Sequence, residues 1–185
     1  MTGAVPSSLS GVRYGTVARH EDSRGAFREL WRASAYPEPE RFVQANLSSS
    51  VTGVLRGLHL HRRQLDRWIV ASGRAFVGLV DVRPMLAPDA DDGGPLVETR
   101  ELLADDWVEI PAGVAHGFLA LESLDLIYLV TNEYDGTDEL GFAWDDPLAS
   151  VPWPPATATP DGRPILSERD QANPPLAALV ERLRG

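Results

Sequence analysis

A chain of 185 residues with a formal net charge of −10 suits one domain with an ample core, and that acidity argues against a nucleic-acid partner, because phosphate backbones attract basic surfaces. Cysteine is absent, which excludes disulfides and thiolate chemistry, and no run approaches the roughly 20 apolar residues of a membrane helix. The opening "MTGAVPSSLS" lacks the basic-then-apolar pattern of a signal peptide, so the expectation is a cytoplasmic protein with no membrane partner.

From about Val12 to Trp144 the chain reads as short strands separated by turn signals. In order these are "AFRELW", "RFVQANLS", "VLRGLHLH", "RWIVA", "RAFVGLVDVR", "VETREL", "WVEI", "AHGFLAL" and "LDLIYLVT". Evenly spaced strands without helical periods between them predict an all-β sandwich or barrel. The stretch "PMLAPDADDGGP" (84–95) is polar and rich in Gly and Pro, and is expected as an exposed, mobile loop. The proline-rich "WPPATATPDGRP" (153–164) cannot be a central strand and reads as an extended surface connection. At the C-terminus, Leu176, Leu179, Val180 and Leu183 follow two prolines at helical spacing, which predicts a short amphipathic helix. The whole chain, 1–185, is expected to be a single domain.

The four histidines fall in three places: His20 before an acidic pair, His59 and His61 together, and His116 in "IPAGVAHGF". At i and i+2 in a strand, His59 and His61 point to one face. His59, His61, Asp66 and Gly73, followed by Pro111, Gly113 and His116, resemble the two motifs of the cupin superfamily, with Asp66 where glutamate is usual. That resemblance implies a jelly-roll β-barrel whose mouth collects these residues. Three imidazoles and a carboxylate suit Fe(II), Mn(II), Ni(II) or Zn(II), so a metal-dependent cupin enzyme using His59, His61, Asp66 and His116 is one reading.

A longer resemblance runs from about Asp22 to Asp170. In order, "DSRGAFRELW", "FVQANLSSSVTGVLRGLH", "IPAGVAHGF", "YLVTNEYDGTDELGFAWDDPL", "VPWP" and "LSERD" are similar to the dTDP-4-dehydrorhamnose 3,5-epimerase family. The resemblance implies an isomerase that acts on a nucleotide-linked 4-keto-6-deoxyhexose, with no cofactor and no metal. Protons at C3 and C5 are α to the keto group, so removal gives an enolate and reprotonation from the other face inverts the carbon. By resemblance His59 is the base, Asp170 orients it, Tyr134 is the proton donor across the ring, and His116 bonds the sugar. Arg24 and Arg56 would meet the diphosphate, Phe27 and Glu29 the nucleotide, and Gln44 and Asn46 the sugar and phosphates. The segment "RGAFRE" would reach across a dimer interface, which implies a homodimer with composite sites.

The residue types alone leave plainer roles open. Asp170 could cap the C-terminal segment, Tyr134 could be a packing aromatic, His59 a buried structural histidine, and Arg24 and Glu29 a solvated strand face. A non-catalytic sugar-nucleotide binding module is the reading from another class. The chain also departs from the family after His59. Leu60 and His61 follow it, and Asp66 stands where the epimerases carry a lysine that steadies the enolate. No lysine occurs in the chain. Arg62, Arg63 or Arg67 would have to supply the cation, or else His61 and Asp66 complete a metal site with His59 as a ligand.

Overall fold

The computed structural model describes residues 5–36, 41–87 and 93–185. The strands are β1 Val5–Pro6, β2 Arg13–Thr16, β3 Arg19–Asp22, β4 Gly25–Arg28, β5 Gln44–Ser50, β6 Leu55–Leu60 and β7 Asp66–Ser72. They continue as β8 Arg74–Asp81, β9 Leu96–Leu103, β10 Asp106–Ile110, β11 Val114–Ala120, β12 Leu124–Val130 and β13 Leu140–Gly141. Among the described residues the helical elements are a 3-10 turn at Ala33–Ala35 and the short α-helices α1 Arg83–Leu86, α2 Glu168–Gln171 and α3 Leu176–Arg184. Among the described residues these strands pair antiparallel throughout.

Two sheets form the body. One has the order β1-β2-β10-β7-β12-β5 and the other β13-β6-β11-β8-β9. A shared core joins them: Tyr14, Trp68, Val70 and Val108 of the first pack with Ala75, Val77, Leu79 and Phe118 of the second. This is the expected all-β, cupin-type jelly roll with its two sheets face to face. The predicted C-terminal helix is α3, which buries Leu176, Leu179 and Val180 against Leu58, Leu60 and Phe142. In the expected loop 84–95, Met85 and Leu86 belong instead to the single helical turn α1, because Pro84 at its start presets φ. Residues 88–92 lie outside the described residues. The segment 153–164 carries no strand, as its prolines require. "AFRELW" is strand only to Arg28, where the β3–β4 hairpin ends.

The alternation of β7 decides which side chains reach the space between the sheets. Asp66, Trp68 and Val70 point inward, while Arg67 and Ile69 point to the outer face. That outer face is covered too. The Arg67 guanidinium stacks 4.0 Å from the Trp107 ring centroid and donates to the Tyr36 hydroxyl at 2.6 Å and to Glu109. Glu109 also pairs with Arg13 at 2.7 Å. Arg67 therefore cannot serve as a cation for the interior, because its strand register sends it the other way.

A buried pair of this kind is fragile when halved. Arg67→Ala leaves Glu109 buried beside one remaining arginine and is expected to cost about 3–5 kcal/mol in urea unfolding. Arg67→Met combined with Glu109→Leu restores most of that loss. A cost below about 1 kcal/mol for Arg67→Ala would show that the pair is inconsequential.

Candidate active site

The two sheets enclose a cavity of about 430 Å³. Its walls follow from strand parity. Gln44, Asn46 and Ser48 alternate inward on β5, and Leu126, Tyr128 and Val130 do so on β12. On the facing sheet, His116 of β11 lies opposite His59 of β6, and Gly141 of β13 flanks His59 on its other side. His59 and His61 both line the cavity, as their spacing predicts.

Arg56 also lines it, although it stands three residues from His59. The strand pairing slips between His116 and Phe118, which resets the parity. Gly57 makes this possible. Its φ of +121° suits a residue without a side chain, and an added Cβ would stand 2.6 Å from the Cα of Gly117. The glycines of "RGLH" and "HGF" are thus a backbone-to-backbone contact. A further link joins the two motifs: the Gly113 amide donates to the His61 carbonyl at 2.8 Å.

The chemical centre is His59. Its Nε2 lies 2.7 Å from Oδ1 of Asp170, which is buried behind it. Asp170 sits in the first turn of α2, where its amide donates to the Ser167 hydroxyl that caps the helix. Burial pushes the Asp170 carboxyl upward. The hydrogen bond and charge of His59, with bonds to Ser167 and the Gly57 amide, outweigh burial and hold its pKa below the ordinary 3.8. An ionised carboxylate only accepts, so Nε2 carries the proton and Nδ1 is left as the basic nitrogen.

The other expected residues divide by location. Gln44, Asn46, Arg56, His116 and Tyr134 line the cavity with His59. Tyr134 is at the rim, 67% exposed, its amide donating to Gln44 Oε1 at 2.9 Å. Gln44 Nε2 in turn donates to Asn46 at 2.9 Å. Arg56 is fastened to β5 through Ser50 Oγ at 3.1 Å. His116 is buried, and burial, reinforced by His61 and His59, puts its pKa well below 6.5, so it is neutral at neutral pH. Arg24, Phe27 and Glu29 are not brought to this cavity within the chain. They lie on or beside the exposed β3–β4 hairpin, where Arg24 pairs with Asp22 at 2.6 Å and Glu29 with Arg32.

Asp66 lies inside the cavity wall, buried, and accepts from Gln64 Nε2 at 2.6 Å and Trp68 Nε1 at 3.2 Å. Burial raises its pKa despite the opposing pull of His61 and these two bonds. Arg62 and Arg63 have exposed side chains beside Asp138 and do not line the cavity. Sequence reasoning missed Arg169 and Glu139, which line the cavity and pair at 2.9 Å. Arg169 adjoins Asp170 in "LSERD", the one signal that marked it.

A two-sheet β-sandwich with a carboxylate-oriented histidine in a polar cavity defines a proton-transfer site. A model of the family dTDP-4-dehydrorhamnose 3,5-epimerase matches residues 6–178. The chain is 38% identical over 160 residues to a Pseudomonas aeruginosa dTDP-4-dehydrorhamnose 3,5-epimerase, covering 81% of this chain and 82% of that one. Among solved structures it is similar to a Legionella pneumophila dTDP-6-deoxy-D-glucose-3,5-epimerase in complex with dTDP-4-keto-L-rhamnose. There the TM-score is 0.81 at 29% identity, covering 98% of this chain and 96% of that one. It is also similar to a 3'-monoepimerase from Streptomyces bikiniensis in complex with dTDP-quinovose. That TM-score is 0.79 at 28% identity, covering 96% and 89%. The chain belongs to the dTDP-4-dehydrorhamnose 3,5-epimerase family.

The Asp170 carboxyl gives a test in pH. A folded-state pKa below 3.8 contributes stability that is present above 3.8 and lost as pH falls through the folded value. Asp170→Asn should therefore lower the urea midpoint at pH 7, and the gap to wild type should close below pH 3.8. A gap that does not change with pH would contradict the His59–Asp170 coupling.

Proposed function

We propose that the protein is an epimerase that inverts one or both carbons flanking the keto group of a dTDP-linked 4-keto-6-deoxyhexose. The observation that carries this reading is the His59–Asp170 pair at 2.7 Å in the wall of the cavity. His59 Nδ1 takes the α proton as the C–H bond breaks, and the electron pair moves onto the keto oxygen to give the enolate. Asp170 stabilises the imidazolium that forms. Tyr134, from the rim, gives a proton to the opposite face of the enolate as the keto group re-forms. His59 then passes its proton to water and Tyr134 regains one from water, restoring both groups. His116, neutral and buried, is placed to hydrogen-bond the sugar.

Arg56 at the cavity edge is suited to the diphosphate, and Gln44 and Asn46 to the sugar beside it. Arg24, Phe27 and Glu29 serve the nucleotide from a second copy of the chain. Phe27 at 68% exposed on the hairpin and Leu47 at 64% on the outer face of β5 supply apolar surface for such a homodimer. The setting is a single-domain cytoplasmic enzyme; no helix among the described residues is long and apolar enough to cross a membrane. Inversion at one carbon only is the second reading. It is supported by the likeness to a 3'-monoepimerase and by Asp66, which puts an acidic group inside the cavity wall.

Incubation with dTDP-4-keto-6-deoxyglucose in deuterated water tests the reaction. Deuterium should enter at C3, C5 or both, and the number of sites separates the two readings. His59→Asn should slow exchange by about 10²–10⁴-fold while leaving dTDP binding nearly intact. Near wild-type exchange in that variant would remove His59 from the mechanism. Arg56→Ala should weaken dTDP by about 1.5–3 kcal/mol in a calorimetric titration, and unchanged affinity would assign the cavity to another ligand. Sedimentation should give a dimer that Leu47→Glu converts to monomer; a monomeric wild type would rule out composite sites.

A further inference from the structure

Beside the His59–Asp170 pair, the cavity wall holds a second cluster that the proton transfer does not employ. His61, Asp66 and His116 come from the end of β6, the start of β7 and the middle of β11. They are 6%, 3% and 4% exposed, and their ligand atoms all lie within 4.8 Å of one another. We propose that these three side chains bind one divalent transition-metal ion of the manganese, iron(II), cobalt, nickel or zinc type.

The hydrogen bonds around the cluster prepare it for a cation. His61 Nδ1 lies 2.7 Å from the Asp138 carbonyl, and His116 Nδ1 lies 3.1 Å from the Val114 carbonyl. A carbonyl only accepts, so each Nδ1 carries the hydrogen and each Nε2 turns a lone pair toward the cluster. His116 Nε2 stands 3.8 Å from Asp66 Oδ2. Two acceptor nitrogens and a carboxylate thus converge with no donor of their own among them. A backbone carbonyl on the remote imidazole nitrogen is the support that metal-bound histidines use to fix tautomer and ring orientation. The same support extends outward. Asp138 is pinned by the amides of Arg62 and Arg63 at 3.0 Å, and Asp66 is steadied by Gln64 and Trp68.

Two atoms bound at about 2.0–2.2 Å to one ion stand at most about 4.4 Å apart, so a small inward turn of the side chains closes the site. Two imidazoles and one carboxylate select first-row transition metals over magnesium or calcium, which favour all-oxygen sites. His59 is not a member: the side chains whose ligand atoms lie mutually close are His61, Asp66 and His116 alone among the described residues, and the His59 ring is held by Asp170. The four-ligand set that the cupin motifs imply thus contracts to three here. The conflict between a base and a ligand at His59 disappears, and an ion and a base can share one cavity.

The proposal concerns binding and does not rest on the epimerase reading; with an ion bound, His116 Nε2 is a ligand, so its role of bonding the sugar belongs to the metal-free form. The test uses full-length protein freed of metal by chelator dialysis, then titrated with cobalt(II) while its visible absorption is followed. Wild type should take up a single equivalent with new d–d bands, and manganese or zinc should compete. Asp66→Asn and His116→Gln should each weaken binding by more than the roughly 10–100-fold that loss of a supporting hydrogen bond costs, and Gln64→Ala should fall in that range. His59→Asn should bind cobalt as wild type does, with melting curves confirming that each variant is folded. The proposal is overturned if wild type binds no cobalt at millimolar concentration. It is also overturned if binding survives in folded Asp66→Asn and His116→Gln, or if His59→Asn abolishes it.

Discussion

A β-strand has two faces, and the two faces of β7 carry opposite chemistry. Asp66 and Trp68 face the cavity, while Arg67 and Ile69 face a separate, fully covered layer. A one-residue slip would exchange them, placing an arginine in the cavity and an aspartate against Trp107. The register is held from both sides, because β7 pairs with β10 and β12 over most of its length. The Arg67–Glu109–Tyr36 contacts are a further lock, since Glu109 lies directly opposite Arg67 across the ladder. The polarity of the cavity is thus set in part by a charge pair on the other side of the sheet.

Much of this was legible in the chain. Strand runs such as "RAFVGLVDVR" and "LDLIYLVT" became β8 and β12 because alternation and β-branching bind local preference to the same outcome as burial. The pairing of His59 with His61 on one face followed from the period of two alone. Placing Arg56 beside them did not, because that depends on a slip in the β6–β11 ladder that only the pairing of two distant segments creates. Arg67, one of the three candidate cations, turns away from the cavity for a related reason: proximity in sequence to Asp66 says nothing of direction. Glu139 and Arg169 went unnoticed because a loop and a helical turn carry no periodic signal.

The sequence motifs also mix two kinds of residue that only the fold separates. In "RGLH" and "HGF" the histidines face the cavity, but the glycines exist for each other, since Gly57 and Gly117 pass at a distance no side chain tolerates. His59 and His116 can stand opposite each other only because the neighbouring backbones approach so closely. The site is therefore built as much from missing atoms as from functional ones.

Asp138 joins two parts of the cavity that sequence keeps far apart. Its carboxylate takes the amides of Arg62 and Arg63, and its carbonyl takes the His61 ring, so the loop bearing Tyr134 is clasped to the segment that follows His59. Lifting that loop would unfasten His61 at the same moment, breaking a clasp of several bonds around a single aspartate. Any displacement of the loop that carries Tyr134 is thereby tied to the seating of the His61 ring.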